Sequence, residues 1–293
     1  MVTIVGLPNV GKSSILNRFL GSKLSIVTAA AQTTRERVVG IDTRDDVQII
    51  FFDTPGLVEP AYLLHRSMLW IVDQAVSDAD VVVLLLDGTR PPPELPEEIE
   101  ARLAALGGKL VVAINKGDIA SAEQVGRLRV WVADRFSRDA ALVSAESGAG
   151  VDELRSAIGE RLPASPFLYP DDELSTQSVR FFISELIRET IFESYGEEVP
   201  YSTAVKVEEY REGSDPLYIR ANIYVERASQ KGILIGHRGQ AIRELGTAAR
   251  RKIEEFVQSP VYLDLWIKVL PRWRKDPVEL LRFGFPIPPD IKK

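Results

Sequence analysis

The chain has 293 residues, 45% hydrophobic and 27% charged, with a formal net charge of −6 and no cysteine. That length supports two compact domains with their own cores, the composition is that of an ordinary globular protein, and the missing thiols exclude disulfides and thiolate metal sites. No apolar run approaches the roughly 18–20 residues of a membrane span, and the opening "MVTIVG" shows neither the basic region nor the cleavage site of a signal peptide.

In chain order, apolar β-branched runs alternate with helical patterns. Strands are predicted at Val2–Val5, Val38–Ile41, Gln48–Asp53, Val81–Asp87, Leu110–Asn115 and Ala141–Ser144. Helices are predicted at Lys12–Leu20, through the sixties and seventies, and at Pro96–Leu106, Ala122–Phe136 and Val151–Arg161. Such alternation predicts an α/β domain over residues 1–165, with a mostly parallel sheet covered by helices on both faces. Three prolines and a polar cluster in "PASPFLYPDDELSTQS" break the rhythm, and the linker is set at 166–178. Beyond it, over 179–293, the order becomes α-β-β-α-α-β: Phe181–Tyr195, Ala204–Tyr210, Leu217–Arg227, Ser229–Ile235, Gln240–Val257 and Val261–Leu270. This describes a small three-stranded sheet with helices on one face.

Charge divides along the same line. Residues 1–178 hold 17 Lys and Arg against 25 Asp and Glu, residues 179–293 hold 19 against 17, and Arg227–Lys275 holds 11 against 4. A local basic stretch in an acidic chain points to a surface that meets a polyanion, the plainer alternative being a solvated helix face.

Gly6-Leu7-Pro8-Asn9-Val10-Gly11-Lys12-Ser13 satisfies the phosphate-loop pattern between a strand and a helix. Its glycines let backbone N–H groups turn toward a phosphate, to which the following helix adds its positive end. Lys12 is assigned to the β- and γ-phosphates and Ser13 to Mg²⁺. Ser14 continues the loop. Asp53-Thr54-Pro55-Gly56 ends another apolar strand, with Asp53 assigned to the metal through a water and Gly56 to a backbone N–H that senses the γ-phosphate. In "AAAQTTRERVVG" both Thr33 and Thr34 offer the hydroxyl needed on Mg²⁺, and Thr34 is favoured. Asn115-Lys116-Gly117-Asp118 selects the base. Asp118 can accept from guanine's ring N–H and amine, Lys116 can lie over the base, and Asn115 can tie this loop to the phosphate loop. Ser144-Ala145 is assigned a backbone N–H for guanine O6. A metabolic kinase or ATPase is the main rival, and a guanine-reading Asp118 has no purpose in one.

"GLPNVGKSS", "QTTRERVVGI", "DTPG", "NKGD" and "SAESGAGVDEL" resemble the translation-factor-related GTPases. "KGILIGHRGQAIRELGTAARRKIEEF" followed by "VYLDLWIKVLPRWRKDP" resembles the C-terminal KH domain of the Era family of ribosome-assembly GTPases, and the likeness covers essentially the whole chain. The resemblance implies a type II KH fold in the second domain and GTP, GDP and Mg²⁺ as ligands. It also implies binding to the 3′ end of 16S ribosomal RNA, a role in 30S subunit assembly, and a cytoplasmic monomer able to associate peripherally with the inner face of the membrane. The chain departs from the family by opening directly on its first strand, so an edge contact is expected to be missing, and by carrying His237 and Arg238 where lysine and glycine are commoner.

Ras-like proteins position the attacking water with a glutamine where this chain has Leu57, so slow intrinsic hydrolysis is expected. In related GTPases an asparagine at the place of Asn9 helps hold K⁺ beside the phosphates; the alternative is that Asn9 only shapes the turn. Gly236-His237-Arg238-Gly239 is the expected clamp on single-stranded RNA. Arg272, Trp273, Arg274 and Lys275 are expected to extend that surface, with Trp273 stacking bases. Trp266, Ile233, Ile235, Ile242 and Leu245 are expected in the core, and His65 is assigned no role.

Overall fold

Four consecutive β-branched residues, Val2–Val5, form strand β1, and all four are buried, as a strand covered on both faces requires. β1 lies within a six-stranded sheet of order β2-β3-β1-β4-β5-β6, with β2 at Val38–Arg44, β3 at Val47–Asp53, β4 at Val81–Asp87, β5 at Leu110–Asn115 and β6 at Ala140–Leu142. Only the β2–β3 hairpin is antiparallel. Helices α1 (Lys12–Leu20), α2 (Leu63–Asp78), α3 (Glu97–Ala105), α4 (Ala122–Phe136) and α5 (Val151–Gly159) connect the strands. One core packs α1 and α5 on the sheet through Ile15, Leu16, Leu154 and Ile158. The other packs α3 and α4 on its opposite face through Leu103, Leu128 and Val132. The doubly covered sheet predicted from the alternation is therefore present. Because the inner strands run parallel, Val5, Asp53, Asp87 and Asn115 all end at one edge, where open α/β sheets bind ligands.

The computed structural model describes residues 1–28 and 32–291. These form two units, the first of Met1–Glu59 and Met68–Thr176, the second of Pro60–Ser67 and the chain from Gln177 onward. The stretch before Gln177 has no regular element but is fastened to the first unit. Ile41 N–H donates to Leu174 O at 2.9 Å, and the Gln48 side chain accepts from Leu168 N–H at 2.9 Å and Tyr169 N–H at 3.1 Å.

In the second unit, α6 (Val179–Ser194), α7 (Ala228–Ile235) and α8 (Gln240–Val257) cover one face of a sheet of order β7-β8-β9, with β7 at Ala204–Arg211, β8 at Leu217–Val225 and β9 at Val261–Val269. Ile183, Ile187 and Ile191 of α6 meet Leu245, Ala249 and Ile253 of α8 over Ile219, Ala221 and Ile223, the i, i+4 spacing giving each helix one apolar stripe. The expected element order is found, with a further short helix α9 at Pro277–Arg282, capped by Asp276.

Three side chains lie elsewhere than their sequence pattern predicts. Ile233 is 49% exposed rather than core, since the inward side of α7 is taken by Leu234. Trp266 is 55% exposed, because in β9 the inward parity belongs to Val261 and Ile267. Trp273 is fully buried; its indole N–H donates to Ser202 O at 2.8 Å and its ring meets Phe283 edge-on at 5.2 Å. A tryptophan held this way cannot stack a base.

Candidate functional site

The turn after β1 is drawn tight by its own side chains. Lys12 is buried, and its ammonium donates back to Gly6 O at 3.2 Å and Leu7 O at 3.1 Å, lying along the loop where phosphate oxygens would sit. Gly11 caps α1 in the left-handed region at φ 95°, and a Cβ there would run into the Asn115 amide. Burial pulls the Lys12 ammonium down from 10.5 to about 8, opposed by the Asp53 carboxylate. Burial likewise pushes the Asp53 carboxyl up, against the Ser13 hydrogen bond, the Lys12 charge and the Thr34 hydroxyl.

Three oxygens converge beside that lysine. Ser13 Oγ donates to Asp53 Oδ2 at 2.7 Å and lies 3.0 Å from Thr34 Oγ1, which is 3.4 Å from the same carboxylate oxygen. Asp53 Oδ1 is buried without a hydrogen-bond partner. One orphaned carboxylate oxygen among hydroxyls is a hard, all-oxygen donor set, which fits Mg²⁺ better than a softer metal. Thr33 lines the same pocket, while Ala29–Ala31 of this segment lie outside the described residues. Thr54 Oγ1 donates to Ile4 O at 2.8 Å, fixing the end of β3, Leu57 N–H donates to Gly6 O at 3.0 Å, and Gly56 passes close to Pro8.

At the end of β5, Asn115 joins three motifs. Its amide donates to Val10 O at 2.9 Å and its oxygen accepts from Ala145 N–H at 3.0 Å. Ser144 N–H goes to Ala149 O at 2.9 Å. Both N–H groups of the Ser144-Ala145 pair are thus engaged within the protein, and a contact to guanine O6 requires Ala145 to exchange its partner. Asp118 is exposed. Lys116 is held by Asp87, with Nζ to Oδ2 at 2.7 Å. Burial alone would raise the Asp87 carboxyl, yet hydrogen bonds from Lys116 and Thr89 hold it below its usual range. Asp87 was missed in the sequence, although it ends the apolar run of β4 as Asp53 ends that of β3. A pocket of about 370 Å³ is lined by Lys12, Ser13, Thr34, Gly56 and Lys116, with Asn9, Ser14 and Arg90 also on its wall, while Asn115, Asp118, Ser144 and Ala145 are not among its lining residues.

In the second unit, Gly236–Gly239 joins α7 to α8. Gly236 has φ 70°, and a Cβ on it would sit 2.6 Å from Ala241 Cβ, so the loop turns directly onto the next helix. His237 and Arg238 are exposed at its tip, and Gly239 caps α8, whose positive end faces the loop. Arg272 and Lys275 are exposed too. Arg274 departs from the expected open surface. Its guanidinium pairs with Glu226 and covers the Tyr62 ring at 4.8 Å, and it donates to Tyr62 OH at 3.2 Å. Tyr62 in turn lies 3.9 Å from His65, which is buried and accepts from Ala61 N–H at 3.3 Å, a structural role for that histidine.

Residues 1–116 match the family model of a 50S ribosome-binding GTPase, and residues 198–274 match that of a KH domain. GTPase Era of Thermotoga maritima is 42% identical over 296 residues, covering 99% of this chain and 98% of the relative. Two solved Era structures similar to the chain have TM-score 0.92, 38% identity and 98% coverage of both chains. One is a variant from Aquifex aeolicus bound to GDP·AlF4⁻, the other is in complex with MgGDPNP and nucleotides 1506–1542 of 16S ribosomal RNA. With both modules in this order and likeness over nearly its whole length, the chain belongs to the Era family of GTPases.

Proposed function

We propose that the chain is a GTP-hydrolysing switch whose KH unit binds the 3′ end of 16S ribosomal RNA during assembly of the 30S subunit. The observation that carries the nucleotide half is the convergence of Ser13, Thr34 and Asp53, one carboxylate oxygen orphaned, beside the buried Lys12. The RNA half is supported by the exposed glycine-flanked loop and by the Era relative seen with 16S ribosomal RNA. The protein works in the cytoplasm as a monomer. Its proposed contact with the inner membrane face is peripheral; among the described residues no helix is long and apolar enough to cross a membrane.

Lys12 places its charge on the β- and γ-phosphate oxygens; because burial penalises that charge alone, a bound polyphosphate restores it. Ser13, Thr34 and Asp53 are the groups that would hold Mg²⁺, which would supply positive charge against the phosphates. Asp118 reads guanine, and Lys116, steered by Asp87, lies along the base. Leu57 is buried among Val72, Val82 and their neighbours, so it aligns no water. Catalysis here is electrostatic and slow, with Asn9 either helping to hold K⁺ or only shaping the loop.

Single-turnover GTP hydrolysis in K⁺ and in Na⁺, with and without a 16S ribosomal RNA fragment, tests this. Slow release of phosphate that K⁺ or RNA accelerates is expected, and Asn9→Ala should erase any K⁺ preference while leaving GDP affinity near its original value. Equal rates in both salts remove K⁺ from the mechanism. No phosphate release under any condition reduces the first unit to a nucleotide-binding module.

A further inference from the structure

The sheet of the second unit has one face under α6, α7 and α8 and another that faces away from them. On that outer face the register sets Tyr218 beside Tyr262, Arg220 beside Asp264 and Asn222 beside Trp266. At one end the C-terminal chain covers it: Phe283 meets Tyr224 at 5.1 Å and Arg282 donates to the Tyr224 hydroxyl at 3.1 Å. At the other end Tyr262 is 59% and Trp266 55% exposed. Two large aromatic rings in water on a single face are costly unless they have a partner.

These rings are held in place. Trp266 Nε1–H donates to Asp264 Oδ2 at 2.8 Å, and the Tyr218 hydroxyl meets the same oxygen at 3.3 Å. Arg211, from the strand on one side, lies 4.7 Å from the Tyr218 ring; Tyr262, from the strand on the other, stacks on it at 5.8 Å and 12°. The result is a column of guanidinium, ring and ring that ends at Tyr262, and no other described ring or cation is stacked on Tyr262. The carboxylates of the face are turned inward on their neighbours. Glu209 pairs with Arg211 at 2.5 Å and Arg220 at 3.4 Å, and Glu208 accepts from Asn222 at 2.9 Å and the Tyr224 hydroxyl at 3.1 Å. Lys206, Arg211, Arg220 and Lys268 outnumber Glu208, Glu209 and Asp264, so the face is complementary to a polyanion that carries flat rings.

We propose that this outer face is a second RNA-contact surface, on which unpaired bases stack against Tyr262 and Trp266 while Arg220 and Lys268 meet the neighbouring phosphates. The inference rests on the RNA-binding reading above and adds to it. A glycine-flanked KH loop clamps about four nucleotides, whereas the RNA in the Era complex runs from 1506 to 1542. Most of such an RNA extends beyond the reach of Gly236–Gly239 and is available to a second surface, and aromatic stacking takes any base because every base has a flat face.

The test uses two labelled RNAs, a single strand of about four nucleotides and a fragment equivalent to nucleotides 1506–1542, with the full chain. Trp266→Ala and Tyr262→Ala should each weaken binding of the long fragment about fivefold or more. They should leave the short strand and GTP affinity unchanged, and Trp266→Phe should keep most of the binding. Unchanged affinity of the Trp266→Ala/Tyr262→Ala double variant for the long fragment would overturn the proposal. So would a Trp266→Phe variant as weak as the alanine, which points to structure rather than stacking. A loss seen only toward whole 30S subunits, never toward the RNA alone, would assign the face to a protein partner instead. Failure of the unmodified protein to bind either RNA is a distinct outcome, which removes the RNA-binding reading and this inference together.

Discussion

The two proposed sites are built in opposite ways. In the first unit Lys12 and Asp53 are buried, and Ser13, Thr34 and Asn115 are joined to one another or to neighbouring loops before any ligand arrives. In the second unit His237 and Arg238 stand exposed at a loop tip. A small triphosphate on which bonds are broken needs dipoles and charges fixed in a dry cradle. A polymer held by its phosphates is served by solvent-facing cations whose contributions accumulate contact by contact. The difference teaches where a single substitution is decisive and where it is graded.

The largest effect is expected at the base. Asp118→Asn exchanges a double acceptor for a group that suits xanthine, and should swing the preference from GTP to XTP by roughly 10⁴-fold. Nucleotide competition measures it, and a variant that still prefers GTP breaks the assignment of guanine to this loop. Next comes the buried cation. Lys12→Ala should weaken GTP binding by at least about 30-fold, since it leaves buried phosphate charge unanswered. The same residue gives a pH signature. Its ammonium titrates at about 8 in the fold against 10.5 ordinarily, so the unfolded chain holds more protons between those values. The nucleotide-free fold therefore gains stability as pH rises from about 8 toward 10.5, while GTP affinity, which needs the ammonium, falls over the same interval by up to about tenfold per unit. Affinity that is flat across this interval, measured by calorimetry, contradicts a buried phosphate-binding Lys12.

Much of both units was legible because the periodicity was clean. Lys12–Leu20, Ala122–Phe136 and Gln240–Val257 have the predicted bounds, and each strand of the first sheet follows an apolar run. The motif residues of the nucleotide site follow those strand ends, so their convergence needed only a parallel sheet. Side-chain direction was harder. The parity of β9 carried a usable signal, since Trp266 shares its phase with Asp264 and Lys268 and not with Leu263 and Leu265. Trp273 sits in a short turn with no period, where basic neighbours say nothing about which way an indole points. Irregular contacts left no pattern either. The Gln48 clasp on Tyr169 and the Arg274 cover on Tyr62 join residues far apart in sequence through a few side-chain contacts.

The smallest of these effects tests the contrast between the sites most directly. In His237→Asp/Arg238→Asp the exposed loop faces phosphate with two anions, while the nucleotide site is untouched. Titration of the variant with the 16S ribosomal RNA fragment across a salt series, and with GTP in parallel, is the decisive measurement. The account predicts RNA affinity at least about tenfold weaker, roughly 1.4 kcal/mol, a salt slope reduced by about 0.7 for each lost phosphate contact, and an unchanged GTP affinity. RNA binding that survives the double change, or a GTP affinity that falls with it, would contradict two separate sites of opposite construction.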